Sequence, residues 1–186
     1  MIDRPVCVYD ANVLYSAQLR DFLMRLALGE AVRAHWTEQV HEEWMRNVEA
    51  DYPDITWENL QRIRSLMDEA LPGALIEGYE NRISKLSLPD PSDRHVLAAA
   101  IHVGADFIVT FNTRDFPVSK LEVWDIEATG PDEFVSGLFD QVPGRIVDVA
   151  RMHRQSLTRP PKSPEEYLQL LRDCGLDETA RLLERH

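Results

Sequence analysis

The chain has 186 residues, 44% of them hydrophobic, which is enough for the core of one domain with an appendage and excludes a disordered or collagen-like class. Its formal charge of −12 is uneven: residues 137–186 carry 8 basic and 8 acidic side chains, whereas the first 136 residues carry 12 and 24. That balance excludes a protein that grips nucleic acid through a broad basic surface, and it favours an acidic cation site or a basic protein partner.

The start, MIDRPVCVYD, has an acidic third residue and only a short apolar run before Asp10, so it lacks the pattern of a signal peptide. No window approaches the ~18 uninterrupted apolar residues of a membrane span. Cys7 and Cys174 are far apart and have no CxxC companion, which argues against a disulfide framework or zinc knuckle. Both read as small buried hydrophobes. The expectation is a cytoplasmic protein with no membrane partner.

VCVY (6–9) reads as the first strand and ends at Asp10. Ser16 to Leu28 carries Leu19, Phe22, Leu23, Leu26 and Ala27 at helical spacing. AVRAHW (31–36) is the next strand, and Thr37 N-caps a helix through about Asn47. Trp57 to Leu71 places Leu60, Ile63, Leu66, Met67 and Ala70 on one face before Pro72-Gly73 stops it. ALIEGY (74–79) reads as a strand, and Pro91 opens a helix that runs through HVLAAAI to near Gly104. FIVTF (107–111) and LEVWDI (121–126) complete the strands. Such alternation implies an α/β fold with a mostly parallel sheet covered by helices. After GPDEF the pattern is helical only: VPGRIVDVARMHRQSL, then SPEEYLQLLRDCG, then LDETARLLERH. Ser163, Pro164 and Glu166 give the second of these a capping box with Pro at N1. Internal repeats, GxGxxG and P-loop motifs are absent.

In an open parallel sheet, ligands bind beyond the carboxyl ends of the strands. Asp10 stands at that end of the first strand, and Thr110, Asn112 and Asp115 stand at the end of FIVTF. On the helix after Thr37, Val40, Glu43, Trp44 and Asn47 share a face, whereas Glu42 is turned away and has Arg46 four residues on. Glu42 is thus explained as a surface pair, while a carboxylate on the inward face requires a cationic partner. In LPDPSDRHVLAAA, Asp90 is placed as N-cap and Asp93 as N3, positions that favour acids for helix reasons alone. A helix start can also lie at the strand-end crevice, so both roles are compatible. One acid from each of four segments, converging on one crevice, offers hard oxygen ligands suited to Mg²⁺ or Mn²⁺. Arg46, Arg94 and Arg114 each lie within three residues of one of these acids, close enough to contact phosphates at the rim.

The chain resembles the PIN-domain ribonucleases, and within them the toxins of VapBC-type toxin-antitoxin pairs. The matching residues are DANVLYSA after the opening strand, the TEQVHEEWMRN helix, the run DPSDRHVLAAAIHVGADFIVTFNTRDFP and the closing WDIEATGPDEF. The resemblance implies a PIN-like three-layer fold in residues 1–136, followed by a helical C-terminal extension in residues 137–186. It also implies metal-dependent hydrolysis of RNA, with Asp10, Glu43, Asp93 and Asp115 as the acidic quartet. Asp10 and Asp93 are the first choices for direct ligands, and Glu43 and Asp115 would ligate directly, through water, or orient the nucleophile. Asn12, Thr110 and Asn112 become supporting polar groups, and Asp90 matches a position that is acidic in the most similar members. The partners it implies are an RNA substrate, an antitoxin protein and a second copy of the chain.

Two other classes fit parts of the same pattern. An aspartyl phosphatase would use the first strand-end Asp as nucleophile, but DANVL lacks the second acid of DxDxT. An inert interaction module would use the neutral amphipathic C-terminal helices as its contact surface. Acyl hydrolysis loses support because VSGL does not complete GxSxG. None of the six histidines has ligand spacing; His95 and His102 read as surface or packed residues.

Overall fold

The strands are β1 (Val6–Tyr9), β2 (Arg33–Thr37), β3 (Leu75–Ile76), β4 (Phe107–Val109) and β5 (Glu127–Thr129), in a computed structural model that describes residues 4–186. They form an all-parallel sheet in the order β3-β2-β1-β4-β5. All four residues of β1 are buried, as the middle strand of a covered sheet requires. From β1 the chain builds outward through β2 and β3, then returns to build β4 and β5 on the other side. The reversal makes a crevice at the carboxyl ends of β1 and β4. There Tyr9 pairs with Val109, and the Asp10 N–H donates to the Val109 carbonyl at 3.1 Å.

The helices are α1 (Ala11–Leu14), α2 (Ala17–Leu28), α3 (Glu38–Asp51), α4 (Trp57–Ala70), α5 (Glu80–Ile83), α6 (Arg94–Val103), α7 (Val118–Leu121), α8 (Pro131–Leu138), α9 (Pro143–Ser156), α10 (Pro164–Asp173) and α11 (Asp177–Leu183). The α/β class read from the sequence is borne out. The apolar stripe of α2 is wholly buried, and Ser16 caps the helix through the Leu19 N–H. In α6 the run from His95 to Ala100 is buried, and its three alanines let the helix lie close to the sheet. Gly104 ends it at φ 62°, a left-handed position that glycine takes without steric cost. The capping box of α10 is complete: the Ser163 N–H donates to Glu166 Oε2 at 2.8 Å, and the Glu166 N–H donates to Ser163 Oγ at 3.2 Å.

Two expectations need correction. LEVWDI is not a strand: Leu121 ends α7, Glu122–Trp124 make a 3₁₀ turn, and the last strand starts at Glu127. Its β-type residues are the misleading part, because Val123 and Trp124 point to solvent while Leu121 and Ile126 anchor the segment. Asp125, at φ 56°, reverses the chain between those anchors. On α4 the buried face is narrower than the periodicity predicts, with Leu60 and Met67 inside and Leu66 54% exposed. Cys7 is buried and Cys174 half-buried, and both are free.

The C-terminal helices are joined to the rest by polar contacts as well as packing. The Asp132 carboxylate of α8 accepts from the Glu178 N–H, the Thr179 N–H and Thr179 Oγ1, each at 2.8 Å, and so holds the start of α11. His153 of α9 is fully buried between Phe22 of α2 and Tyr167 of α10.

Helix α3 is anchored by a buried polar chain. The Trp44 indole N–H donates to His41 Nδ1 at 3.0 Å, which puts the imidazole proton on Nε2, 3.0 Å from Asp68 Oδ1. The Trp36 indole N–H donates to the same Asp68 oxygen at 2.8 Å. Burial pushes the His41 imidazole below its usual pKa, so it works as a neutral linker. Arg20 lies over the Trp44 ring at 4.4 Å and donates to the Leu14 carbonyl at 2.6 Å. Asp68→Ala removes the acceptor of two donors at once. Urea unfolding should show a loss of about 2 kcal/mol or more, against under ~0.5 kcal/mol for a substitution at the exposed Glu69.

Candidate functional site

The site is built around Asp10. Extended backbone at the end of β1 turns directly into α1, and Asp10 caps that helix by accepting the Ala11 N–H on Oδ1 at 2.7 Å. Its other oxygen, Oδ2, accepts from Thr110 Oγ1 at 2.7 Å and Asn12 Nδ2 at 2.9 Å. Asn12 Nδ2 is also 2.9 Å from Thr110 Oγ1, while Asn12 Oδ1 accepts the Phe111 N–H at 3.0 Å. The Asn112 N–H reaches Thr110 Oγ1 at 3.0 Å. Thus Asn12, Thr110 and Asn112, singled out from the sequence, form one network that ties the end of β1 to the end of β4. Asp10 is only 5% exposed, and burial raises its pKa despite these hydrogen bonds, with Glu43 adding to the rise.

Asp90 and Asp93 separate into different roles. Asp90 accepts the Ser92 N–H at 2.8 Å and Ser92 Oγ at 2.7 Å, which hold its carboxyl below the usual range and spend it on the turn. Asp93 closes the 3₁₀ turn Pro91–Asp93 before α6 and makes no capping hydrogen bond. Partial burial pushes its pKa up to about 6, with repulsion from Asp10, Asp90 and Asp115 adding to the effect. A helix-start role therefore explains Asp90 and leaves Asp93 unexplained.

Asp115 sits half-buried in the 3₁₀ turn Thr113–Asp115, fixed by its own N–H to the Asn112 carbonyl at 3.0 Å and by the buried Phe116 that follows. Glu43 reaches the site from α3. Its side chain is 35% exposed against 42% for Glu42, a smaller contrast than the helical phase predicts, and Asn47 on the same expected face is exposed. Glu42 pairs with Arg46 at 2.8 Å on the surface. The structure thus gathers the four acids from β1, α3, the turn before α6 and the turn after β4, and their mutual charge effects register the proximity.

The three arginines remain at the surface. Arg46 is engaged with Glu42, and Arg94 Nε donates to the Pro91 carbonyl at 2.9 Å. Arg114 lines an open cavity of about 600 Å³ with Phe116, Val118, Glu122 and Glu133. His95 was not singled out as a site residue, yet it is 2% exposed, lies 3.0 Å from Glu43 through Nε2, and bears on the charge of both Asp10 and Asp93. The available signal was its place two residues after Asp93 at the head of a fully apolar run.

Among the described residues no three His, Cys, Asp or Glu side chains lie close enough together, as placed, to hold an ion. The donor set nevertheless fits Mg²⁺ or Mn²⁺. Such ions keep several waters and need only one or two carboxylates from the protein. An all-oxygen cluster whose members raise one another's pKa is relieved by a divalent cation.

Two families match the sequence: the PIN domain over residues 6–114 and the VapC50 C-terminal domain over residues 131–185. A protein of Mycobacterium tuberculosis (strain ATCC 25618 / H37Rv), named "Putative ribonuclease VapC50", is 30% identical over 120 residues, covering 62% of this chain and 70% of its own length. No solved structure matches.

The raised Asp93 pKa has a definite sign. Its contribution to stability is complete below the ordinary value of 3.8 and is lost as pH rises through about 6, because the folded state resists releasing that proton. Asp93→Asn cannot ionise and escapes the loss. In EDTA, its thermal midpoint should match wild type near pH 4 and exceed it by a few degrees at pH 7.5. With Mn²⁺ added, the wild-type midpoint should rise and that of the variant should stay nearly fixed.

Proposed function

The chain belongs to the PIN-domain family and ends in a VapC50-type C-terminal domain, and from that premise we propose that it is a divalent-metal-dependent ribonuclease, the toxin of a toxin-antitoxin pair whose RNA cleavage blocks translation. The observation that carries the proposal is the quartet at the end of the central strand, where Asp10 is buried and Asp93 is pushed up to about 6 by its acidic neighbours. Packing alone gives no reason to crowd four carboxylates there.

Asp10 and Asp93 would hold Mg²⁺ or Mn²⁺. Such an ion, when bound, polarises the scissile phosphate and lowers the pKa of a water. Thr110 and Asn12 fix Asp10 Oδ2, so the remaining acceptor capacity of that carboxylate faces the crevice in one orientation. Glu43, at the half-buried edge, would orient the attacking water and take its proton on a carboxylate oxygen. Asp115, on a turn held by Phe116, completes the acidic wall, and Asn112 is held between it and Thr110. Arg46, Arg94 and Arg114 would contact phosphates at the rim, with Arg46 leaving Glu42 to do so.

Residues 1–136 form the proposed nuclease part and residues 137–186 its helical extension. The proposed partners are an antitoxin protein and a second copy of the chain, in the cytoplasm. The exposed apolar residues Val118 (75%), Val123 (72%) and Trp124 (45%) support a protein partner near the β5 edge. No helix among the described residues is long and apolar enough to cross a membrane.

RNA cleavage by the purified chain with Mn²⁺ should fall about 100-fold or more in Asp10→Asn and in Asp93→Asn, beyond the usual range for a lost supporting residue. Denaturing gels of a structured RNA pool measure it. Equal cleavage by both variants and wild type, or loss of activity that tracks a trapped phosphoenzyme at Asp10, would sink the proposal.

A further inference from the structure

Four histidines raise the question of what an imidazole does inside this fold. His41 is fully buried and both its ring nitrogens are used, by Trp44 and Asp68. His153 is fully buried, with Nδ1 on the Tyr167 hydroxyl. His35 is half-buried and leaves Nδ1 without a partner. His95 differs from all three: it is 2% exposed, and neither ring nitrogen makes a hydrogen bond. Its neighbours along α6, from Val96 to Ala100, are apolar and buried. An imidazole with both nitrogens unsatisfied is a poorer core residue than a leucine of similar volume. Packing therefore does not account for it.

The orphaned ring has one acid within hydrogen-bond distance, beside the more distant charges of Asp10 and Asp93. His95 Nε2 is 3.0 Å from Glu43 Oε1, within hydrogen-bond distance, but its N–H is not aligned with that oxygen. Resting sites commonly hold such contacts loosely and tighten them when loaded. Among the described residues Glu43 has one other polar partner, the exposed Gln39 amide at 3.4 Å, and no further group orients its carboxylate. Among the four acids, Asp10 is fixed by three hydrogen bonds, Asp93 and Asp115 are short side chains on 3₁₀ turns, and Glu43 alone depends on a long flexible side chain.

We propose that His95 is a positioning residue: its ring carries its proton on Nε2 and directs that N–H to Glu43 Oε1, setting the direction in which that carboxylate faces the cation site. The proposal deepens the metal-dependent reading given above and rests on it. His95 does not touch the cation or the substrate. It turns a mobile glutamate into a fixed ligand or water-orienting group, and it gives a buried N–H the acceptor that the fold otherwise withholds.

Three variants test it: His95→Leu, which keeps volume and removes both nitrogens; His95→Gln, whose amide nitrogen reaches the place of Nε2; and Glu43→Gln. In the metal-free protein, ¹⁵N spectra of the histidine rings should show His95 protonated on Nε2, with a resonance that moves in Glu43→Gln. His95→Leu should keep or raise the thermal midpoint while weakening Mn²⁺ binding, measured calorimetrically, by about tenfold or more. His95→Gln should recover most of that affinity. A His95 proton on Nδ1, or a leucine variant that binds Mn²⁺ as tightly as wild type, overturns the proposal. A wild-type chain that binds no Mn²⁺ overturns the metal-dependent reading instead, and the ring spectrum then decides separately whether His95 holds Glu43.

Discussion

A carboxylate removed from water at the end of the central strand is the constraint around which this structure is arranged. Asp10 keeps 5% of its surface exposed, and three hydrogen bonds reach its two oxygens. Those bonds only partly offset the lost hydration, because its pKa remains raised. The Thr110 bond exists only if β4 lies directly beside β1 in the observed register, with Tyr9 opposite Val109. Sheet order and site are thus one requirement. A slip of one residue between these strands would turn Thr110 away and leave the buried carboxylate with only its local donors, the Ala11 N–H and Asn12 Nδ2.

The rest of the molecule offsets that tension at a distance. Helix α3 could be held by packing alone, since Val40, Trp44 and Met45 are buried, yet it is also pinned by the Trp36, Asp68, His41 and Trp44 chain. A polar chain fixes the rotation of a helix about its axis more narrowly than apolar contact does, because its donors and acceptors tolerate little misalignment. Rotation decides whether Glu43 or Glu42 faces the crevice. The contrast between the satisfied His41 and the unsatisfied His95 has the same origin: one imidazole stabilises the scaffold, and the other is left for the site.

The sequence reveals the scaffold wherever one periodicity dominates. α2 was legible because all five stripe residues go inside, and α10 because Ser163, Pro164 and Glu166 each satisfy a separate capping requirement. LEVWDI misleads because Val and Trp are strand formers by propensity, and nothing local reveals that they face solvent on a 3₁₀ turn. β3 keeps only two residues of ALIEGY, since an edge strand is bounded by pairing with its one neighbour rather than by composition. The four acids could be named because strand ends and helix phase place them. Their unequal states could not: both acids stand in DPSD, and the Ser92 hydrogen bonds to Asp90 and the partial burial of Asp93 distinguish them. His95 reads from the sequence as a surface or packed residue because its neighbour Glu43 lies on another helix, far away in the chain.

Charge sets a final condition on the proposed chemistry. The first 136 residues carry twice as many acids as bases, so approaching phosphates meet repulsion over most of the surface. Of the three rim arginines, Arg46 is already paired with Glu42 and Arg94 is turned back onto Pro91, which leaves little positive charge to release counterions. Attraction must then come mainly from cations in the crevice itself, where low dielectric makes each charge count for more than at the surface. The same four carboxylates that repel RNA when empty would draw it in when loaded. On the proposed reading, affinity for the phosphate and competence to cleave it arise together, because a site of this charge does not attract its substrate until the groups that act on it are in place.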